Sequence, residues 1–235
     1  MINAKYEQMQ VDYIDHMGSD VNVVNAARVS FAKEASTFDL EKDTKLINYL
    51  AKHNHWSPLA HTSVSIRVKA PIFMARQFVK HQVGLVWNEE SRRYIDDTPE
   101  FYLPVVWRSR PENAKQGSGD GVVTHIEYEL SPVSGEKISL PIEETYNHLV
   151  RTALATYNMM LDANVAPEQA RMVLPQSVMT NWIWTGSLVA FARVCKLRLD
   201  SHAQKEAQEL AQKINEVVAP LYPVSWAALM EHMKV

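Results

Sequence analysis

The sequence contains little cysteine, little glycine and no long apolar run. Cys195 is the only cysteine among 235 residues, which excludes an intramolecular disulfide and a cysteine-rich zinc site. Seven glycines and eleven prolines are too few for a collagen-like or low-complexity chain. No stretch approaches about 18 consecutive apolar residues, so we expect no membrane span. The start, Met1 to Glu7, is not apolar in the way of a signal peptide, and we therefore expect a cytoplasmic protein.

The overall composition is that of an ordinary globular protein. Hydrophobic residues make up 46% and charged residues 22% of the chain, which is enough to bury a core without disulfides or metals. The formal net charge of -3 argues against general nucleic-acid binding, because such domains are usually strongly basic. Since no repeat and no clear linker interrupt the sequence, we predict one domain over residues 1–235.

Hydrophobic periodicity predicts an α+β architecture. Val64, Ile66 and Val68 alternate with polar residues, which predicts a half-buried strand over 61–69, and 179–184 is a second candidate strand. Helical patterns cover 20–32, where Asp20 is the expected cap, 43–53, Pro71 to about His81, 141–163, 166–174, 187–199 and 201–218. Residues 105–140 are predicted to form a variable loop or hairpin.

The segment from Arg76 to Tyr94 concentrates polar and charged side chains in a chain that is slightly acidic overall. These are Arg76, Lys80, His81, Asn88, Glu89, Ser91, Arg92 and Arg93. A globular core does not need this set, whereas a planar anionic ligand with several hydrogen-bonding groups does. The segment therefore predicts an anion-binding site.

Several segments in order resemble the flavin-dependent thymidylate synthases. They are Asn25–Ser30, Asn54–His61, Lys69–Gln77, Arg171–Pro175 and Lys196–Gln204. The family signature is Arg-His-Arg, seven residues, then Ser, and here it reads Lys80-His81-Gln82, eight residues, then Ser91. Lysine keeps the positive charge but loses the bidentate fork of arginine, and glutamine loses the charge. We therefore expect the flavin phosphate contacts to be redistributed in this chain.

The resemblance implies a fold, an activity and a set of partners. The fold is a central, mostly antiparallel sheet flanked by helices, in an assembly of four copies. The activity is reductive methylation of dUMP to dTMP, with methylene-tetrahydrofolate as the carbon donor, FADH2 as the hydride source and NADPH as the reductant. Nucleic acid, membrane and metal are not among the expected partners.

The resemblance also assigns roles to individual residues. Arg198 matches the arginine that lies beside the uracil N3–C2=O edge and activates C5 without a cysteine nucleophile, by electrostatic stabilisation. The dUMP-binding residues would be Gln77, Lys80, Glu89, Glu90, Ser91, Arg92, Arg93, Arg171 and Arg198. The flavin contacts would be Ser57, Lys80, His81, Gln82, Glu89, Ser187, Leu188, Val189 and Arg193, with His202 lining the site.

Some residues allow other interpretations. Cys195 lies three residues before Arg198 and could be a nucleophile, although its apolar neighbours favour a core position. His53, His55 and His61 suggest metal by number, but their spacing favours structural or folate-side roles, with His55 the best ligand contact. Ser91 shows no His–Asp relay and is assigned to nucleotide orientation.

The divergent signature leaves two alternatives at the level of the whole protein. One is a homologue that binds flavin and nucleotide but is catalytically impaired. The other is a nucleic-acid-binding module that uses the basic cluster, which the net charge and the carboxylates of Glu89 and Glu90 disfavour.

Overall fold

The computed structural model describes residues 4–112, 117–130 and 135–234. The strands are β1 (Lys5–Glu7), β2 (Gln10–Met17), β3 (Ser63–Pro71), β4 (Leu85–Glu89), β5 (Glu100–Tyr102), β6 (His125–Glu129), β7 (Lys137–Pro141) and β8 (Met179–Ser187). The helices are α1 (Asp20–Arg28), α2 (Leu40–Lys52), α3 (Trp56–Leu59), α4 (Ile72–Phe78), α5 (Ile142–Asp162), α6 (Pro167–Ala170), α7 (Leu188–Arg198), α8 (Lys205–Val218) and α9 (Pro223–His232).

The chain divides into two compact units. The first consists of Met1–Gln8, Ala70–Phe73 and Glu90–Thr180, and the second of Met9–Lys69, Met74–Glu89 and Asn181–Val235. The prediction of a single domain over 1–235 stays a prediction.

A four-stranded sheet in the order β2-β3-β8-β4 is the framework of the second unit. Strand β2 pairs antiparallel with β3, and β4 pairs antiparallel with β8. These pairings confirm the predicted mostly antiparallel sheet. Val64, Ile66 and Val68 are fully buried, as their alternation predicts. Trp182 and Trp184 project from β8 on its buried face, and Phe78 and Trp184 meet edge to face at 6.1 Å. The α+β class is confirmed.

Two helix predictions in the second unit are wrong in detail. The N-cap of α1 is Ser19 rather than Asp20. The Asp20 carboxylate instead accepts hydrogen bonds from the backbone N–H groups of Val224 and Ser225, at 3.0 and 2.9 Å. It therefore satisfies donors that the start of α9 leaves unpaired.

Helix α4 ends at Phe78, three residues before the predicted end near His81. Beyond Phe78 the chain turns, with His81 N–H donating to the Phe78 carbonyl at 3.0 Å, and then enters β4. Gly84 takes a left-handed φ of 77° in this turn. Lys80, His81 and Gln82 thus lie on a turn rather than on a helix face.

In the first unit, α5 packs its apolar side over a separate core. The buried members of this core are Phe101, Val150, Leu154, Tyr157, Ala170 and Val178. Strands β6 and β7 pair antiparallel, and the prediction of a variable loop or hairpin over 105–140 stays a prediction. Residues 113–116 and 131–134 of that region lie outside the described residues.

The remaining helix predictions hold with shifted ends. Helix α6 is one turn followed by a 3-10 turn over Arg171–Val173. Helix α8 begins at Lys205, four residues after its predicted start, because Asp200 to Gln204 form a turn. In the part of the chain that the structure describes, no helix is long and apolar enough to cross a membrane.

Candidate functional site

Arg198, at the end of α7, lies against the turn that follows α4. Its Nε donates to Nε2 of His81 at 3.1 Å, and its terminal amino group makes a long 3.5 Å contact with the backbone carbonyl of Gln77. The guanidinium carbon lies 5.7 Å from the ring centre of Phe78, a cation–π geometry. The structure thus brings together three residues that the sequence assigned separately to the nucleotide and the flavin.

Both partners in the Arg198–His81 contact have shifted pKa values. Burial, followed by the charge of Arg198, lowers the pKa of His81 from 6.5 to about 4. Burial also lowers the pKa of Arg198, but a guanidinium remains protonated in proteins. The site therefore presents a fixed cation beside a neutral imidazole at pH 7.

The side chain of Gln77 is held by a second pair of residues from the start of α8. Gln77 Nε2 donates to Oε1 of Gln204 at 2.5 Å, and Gln204 Nε2 donates to the carboxylate of Glu206 at 2.9 Å. Glu206 is only 6% exposed. Sequence analysis missed this role of Gln204 and Glu206, although Gln204 ends one of the family-like segments.

A small cleft of about 110 Å³ brings together three of the predicted flavin contacts, and we call it the Arg193 cleft. It is lined by Ser187, Val189, Arg193, Ala190, Trp56, Val83 and Gly84. Ser187 is the N-cap of α7, where its Oγ accepts from the Ala190 N–H at 3.3 Å. A Cβ at Gly84 would lie 3.2 Å from the Ala190 Cβ, so glycine keeps this wall open. Trp56 and Gly84 are lining residues that sequence analysis missed.

Ser57 and His55 line a neighbouring, larger cleft of about 410 Å³, which we call the His55 cleft. Its other lining residues include Ala26, Ala27 and Ser30 of the first family-like segment. Trp56 lines both clefts. His55 lies edge to face with Tyr49, at 5.8 Å between ring centres, which places it in an aromatic cluster with His53.

Glu89, at the end of β4, is held by Trp87. The Trp87 indole N–H donates to Oε2 of Glu89 at 3.1 Å, and the Trp87 ring stacks on Trp182 at 4.2 Å. The ring on which Trp87 stacks is therefore that of a protein residue, Trp182.

In the first unit, Ser91 and Arg93 lie together. Arg93 Nε donates to the Ser91 hydroxyl at 3.1 Å, and the Arg93 side chain is exposed. Arg92 instead points into its own loop, where its terminal amino group contacts the Asp97 carboxylate at 3.2 Å. Arg171 is exposed on the 3-10 turn after α6. Of the adjacent arginines, Arg93 is the one that a ligand can reach more easily.

The other predicted residues differ in accessibility. Lys80 and Gln82 are exposed on the turn after α4, and Glu90 is half-buried. The Leu188 side chain is fully buried, so only its backbone could meet a ligand. The His202 imidazole is 88% exposed and contacts the Asp200 carboxylate through Nδ1 at 3.0 Å.

Cys195 lies in the core of the second unit. Its side chain is fully buried, its thiol contacts the Ala211 carbonyl at 3.6 Å, and burial raises its pKa. These facts agree with the core interpretation, because a nucleophilic cysteine needs a thiolate. Within residues 4–112, 117–130 and 135–234, no group of three or more His, Cys, Asp or Glu side chains is arranged to hold a metal ion.

Comparison with known proteins gives a consistent result. The family model described as thymidylate synthase complementing protein matches residues 12–224. The flavin-dependent thymidylate synthase of Thermotoga neapolitana is 35% identical over 222 residues, covering 94% of this chain and 91% of that protein. Its counterpart in Thermosipho melanesiensis is 37% identical over 218 residues, covering 93% and 89%.

Among solved structures, the chain is similar to the UMP/dUMP methylase PolB of Streptomyces cacaoi. The structure with 5-Br dUMP bound has a TM-score of 0.80 and 29% sequence identity, and the match covers 96% of each chain. The structure with 5-Br UMP bound has a TM-score of 0.76 at 27% identity and covers 97% of each chain. Fold and sequence therefore agree on one family.

Proposed function

The chain belongs to the thymidylate synthase complementing protein family, and we propose that it converts dUMP to dTMP with FAD, NADPH and methylene-tetrahydrofolate. Relatives of 32–37% identity are named flavin-dependent thymidylate synthases, so the chain is a flavin-dependent methyltransferase by family. The observation that carries the proposed chemistry is the position of Arg198, which is half-buried and held by His81.

Arg198 is proposed to activate the uracil ring. A guanidinium beside the N3–C2=O edge stabilises the negative charge of the deprotonated base, and part of that charge is delocalised onto C5. His81 accepts from Nε and the Gln77 carbonyl lies 3.5 Å from one terminal amino group, so the remaining terminal N–H groups of Arg198 are the donors for the base. No thiol is required, and the buried Cys195 supplies none.

The residues of the Arg193 cleft fit part of a flavin dinucleotide. Val83, Val189 and Ala190 offer apolar walls, and Arg193 offers a cation for a phosphate. A volume of about 110 Å³ is below the range of about 300–1,000 Å³ that whole ligands occupy, so this cleft would hold one portion of the group. When bound, FAD supplies the hydride for methyl formation, and NADPH is the reductant that restores it.

Lys80, Gln82, Glu89 and the backbone of Leu188 are proposed as further flavin contacts, with His202 near the same region. The exposed Lys80 gives the flavin phosphates a mobile charge instead of the fork of an arginine.

For the nucleotide, Ser91 and Arg93 are proposed to bind phosphate together. The hydroxyl and the guanidinium are already in contact, so a phosphate could accept from both without rearrangement of either side chain. Gln77, Glu89, Glu90 and Arg171 are proposed to complete the dUMP site, while Arg92 acts mainly through its bond to Asp97. The substrates dUMP and folate, and a homotetramer, are the proposed partners.

Turnover tests this proposal directly. The purified protein should bind FAD, with its flavin absorption band, and should form dTMP from dUMP, methylene-tetrahydrofolate and NADPH, detected by chromatography. Omission of each component in turn should abolish dTMP. Flavin binding without turnover would support the catalytically impaired alternative, and failure to bind any flavin would refute the proposal.

UMP is a second candidate substrate. The similarity to PolB, whose solved structures carry nucleotide analogues of both the deoxyribose and ribose series, favours a parallel assay with UMP. Turnover of UMP at a rate comparable with dUMP would assign the wider specificity, and turnover of dUMP alone would assign the narrower one.

A further inference from the structure

Three polar side chains form a relay that runs from the start of α8 to the catalytic region. The carboxylate of Glu206 accepts from Gln204, and Gln204 in turn accepts from Gln77. Gln77 also meets Arg198 through its backbone carbonyl. Gln77 is therefore held on both sides, by Arg198 at its main chain and by Gln204 at its side chain.

The direction of every hydrogen bond in this relay follows from its buried end. Gln204 Nε2 donates to a carboxylate oxygen of Glu206, so the NH2 group of Gln204 faces Glu206. The carbonyl oxygen of Gln204 then faces Gln77, which must present its own NH2 group in return. The carbonyl oxygen of Gln77, on the opposite arm of the amide, points away from Gln204.

We propose that Glu206 and Gln204 are positioning residues that fix the Gln77 amide as a hydrogen-bond acceptor for a sugar hydroxyl of the nucleotide. A phosphate oxygen is itself an acceptor, so a carbonyl oxygen cannot bind it, whereas a hydroxyl donates to such an oxygen. This assignment rests on the proposed function, and it specifies the sugar hydroxyl as the group from which the Gln77 carbonyl oxygen accepts.

The burial of Glu206 supports a role beyond helix stability. A carboxylate in the first turn of α8 interacts favourably with the helix N-terminus, but an exposed residue does this equally well. Burying a charged group costs free energy unless its hydrogen bonds are satisfied. Glu206 is 6% exposed, and the hydrogen bond from Gln204 helps to satisfy its buried carboxylate.

Binding measurements on the FAD-loaded protein test the relay. Calorimetry would compare dUMP with its 3′-deoxy analogue in wild type, Glu206→Gln, Gln77→Ala and the double variant. Wild type should bind the analogue about fivefold more weakly than dUMP, the effect of one hydrogen bond. Glu206→Gln should lose this discrimination, because an amide can donate or accept and no longer fixes the relay. Glu209→Gln removes a charge from the same helix and should keep it.

The Gln77→Ala, Glu206→Gln double variant distinguishes a positioning role of Glu206 from a general effect of its substitution on the fold. If Glu206 acts through Gln77, adding Glu206→Gln to Gln77→Ala should change dUMP affinity no further. The proposal would be overturned if Glu206→Gln lowered dUMP affinity equally in the wild-type and Gln77→Ala proteins. It would also be overturned if Glu206→Gln still distinguished dUMP from its 3′-deoxy analogue as wild type does. So would a wild type that binds dUMP and its 3′-deoxy analogue equally.

A readout without nucleotide distinguishes failure of the relay from failure of the proposed function. A neutron structure of the deuterated protein locates the amide deuterons directly, and those of Gln204 should lie toward Glu206. A reversed amide, or a deuteron on the Glu206 carboxyl, refutes the relay even if the enzyme is active. A wild type that binds no dUMP refutes the proposed function, while the neutron map still decides the relay.

Discussion

Arg198 and His81 are joined by a hydrogen bond in which the histidine is the acceptor. Because a guanidinium only donates, Nε2 of His81 must carry the lone pair and the proton must be on Nδ1. The imidazole therefore has a defined tautomer as well as a defined charge. Protonation of Nε2 would replace this bond by repulsion between two cations, which gives the contact a pH dependence.

We expect the protein to lose stability in acid through His81. Its folded-state pKa of about 4 lies below the ordinary 6.5, so the unfolded chain binds the proton first as pH falls. The free energy of unfolding therefore has its full value above pH 6.5, where His81 is neutral in both states. It decreases as pH falls from 6.5 through about 4. After allowance for solvent screening of a half-buried ring, the loss is about 1 kcal/mol, or about 2–4 °C in Tm.

Thermal unfolding from pH 7.5 to 4.5 would measure this effect. The matched variant is His81→Gln, which does not titrate but offers a carbonyl oxygen to Arg198. Its Tm should fall less steeply than that of wild type over the same range. If Tm fell equally with pH in the two proteins, the loss of stability in acid would not arise from His81.

Arg198→Lys should lower kcat for dUMP by about 10²- to 10³-fold, the usual cost of removing a donor that stabilises developing charge. A lysine keeps the charge but lacks the Nε that bonds to His81. Steady-state kinetics and dTMP formation would measure the loss. Cys195→Ala is the companion variant, and it should keep turnover within a few fold. Complete loss of activity in a folded Cys195→Ala protein would restore the thiol mechanism.

Lys80→Arg should strengthen FAD binding several fold, and Lys80→Ala should weaken it. Arginine provides paired N–H groups that donate hydrogen bonds to a phosphate, whereas alanine removes the positive charge. Fluorescence titration of the FAD-free protein gives the two Kd values. Arg67→Ala, an exposed cation on β3, is the control for a general charge effect. An unchanged Kd in Lys80→Ala would remove Lys80 from the flavin site.

Gly186→Ala should destabilise the second unit by about 3 kcal/mol. A Cβ at this position would lie 2.4 Å from the Gly84 carbonyl oxygen, where the backbones of β8 and the turn before β4 approach closely. Gly121→Ala is the matched control, since its Cβ would meet only the Ser109 side chain. Denaturant unfolding should show a large loss for Gly186→Ala and a small one for Gly121→Ala. Similar losses of stability in the two variants would contradict the expected steric clash with the Gly84 carbonyl oxygen.

Local patterns predicted those elements whose burial follows a regular period. Val64, Ile66 and Val68 alternate through a strand with one buried face, and the strand is there. Strand β2 was missed because a bulge between Tyr13 and Asp15 breaks its alternation. The early end of α4 was also missed, because the chain must turn at Gly84 to pair β4 with β8.

The candidate site was predicted in part. The residues on family-like segments were identified from short motifs, and Ser187, Val189 and Arg193 do line one cleft. The bond between Arg198 and His81 could not be predicted, since the two are 117 positions apart. The short helix α3 carries Trp56 to both clefts, and no periodicity indicates which wall an exposed tryptophan forms.

The sequence by itself determined the family, the α+β class and the chemical types of the site residues, because these depend on residue identity and short-range order. Only the tertiary structure decided that Cys195 is buried, that His81 is a neutral acceptor and that Gln204 forms hydrogen bonds with both Gln77 and Glu206. Those properties arise from desolvation and from contacts across more than a hundred positions, such as the 127 between Gln77 and Gln204, which no local pattern encodes.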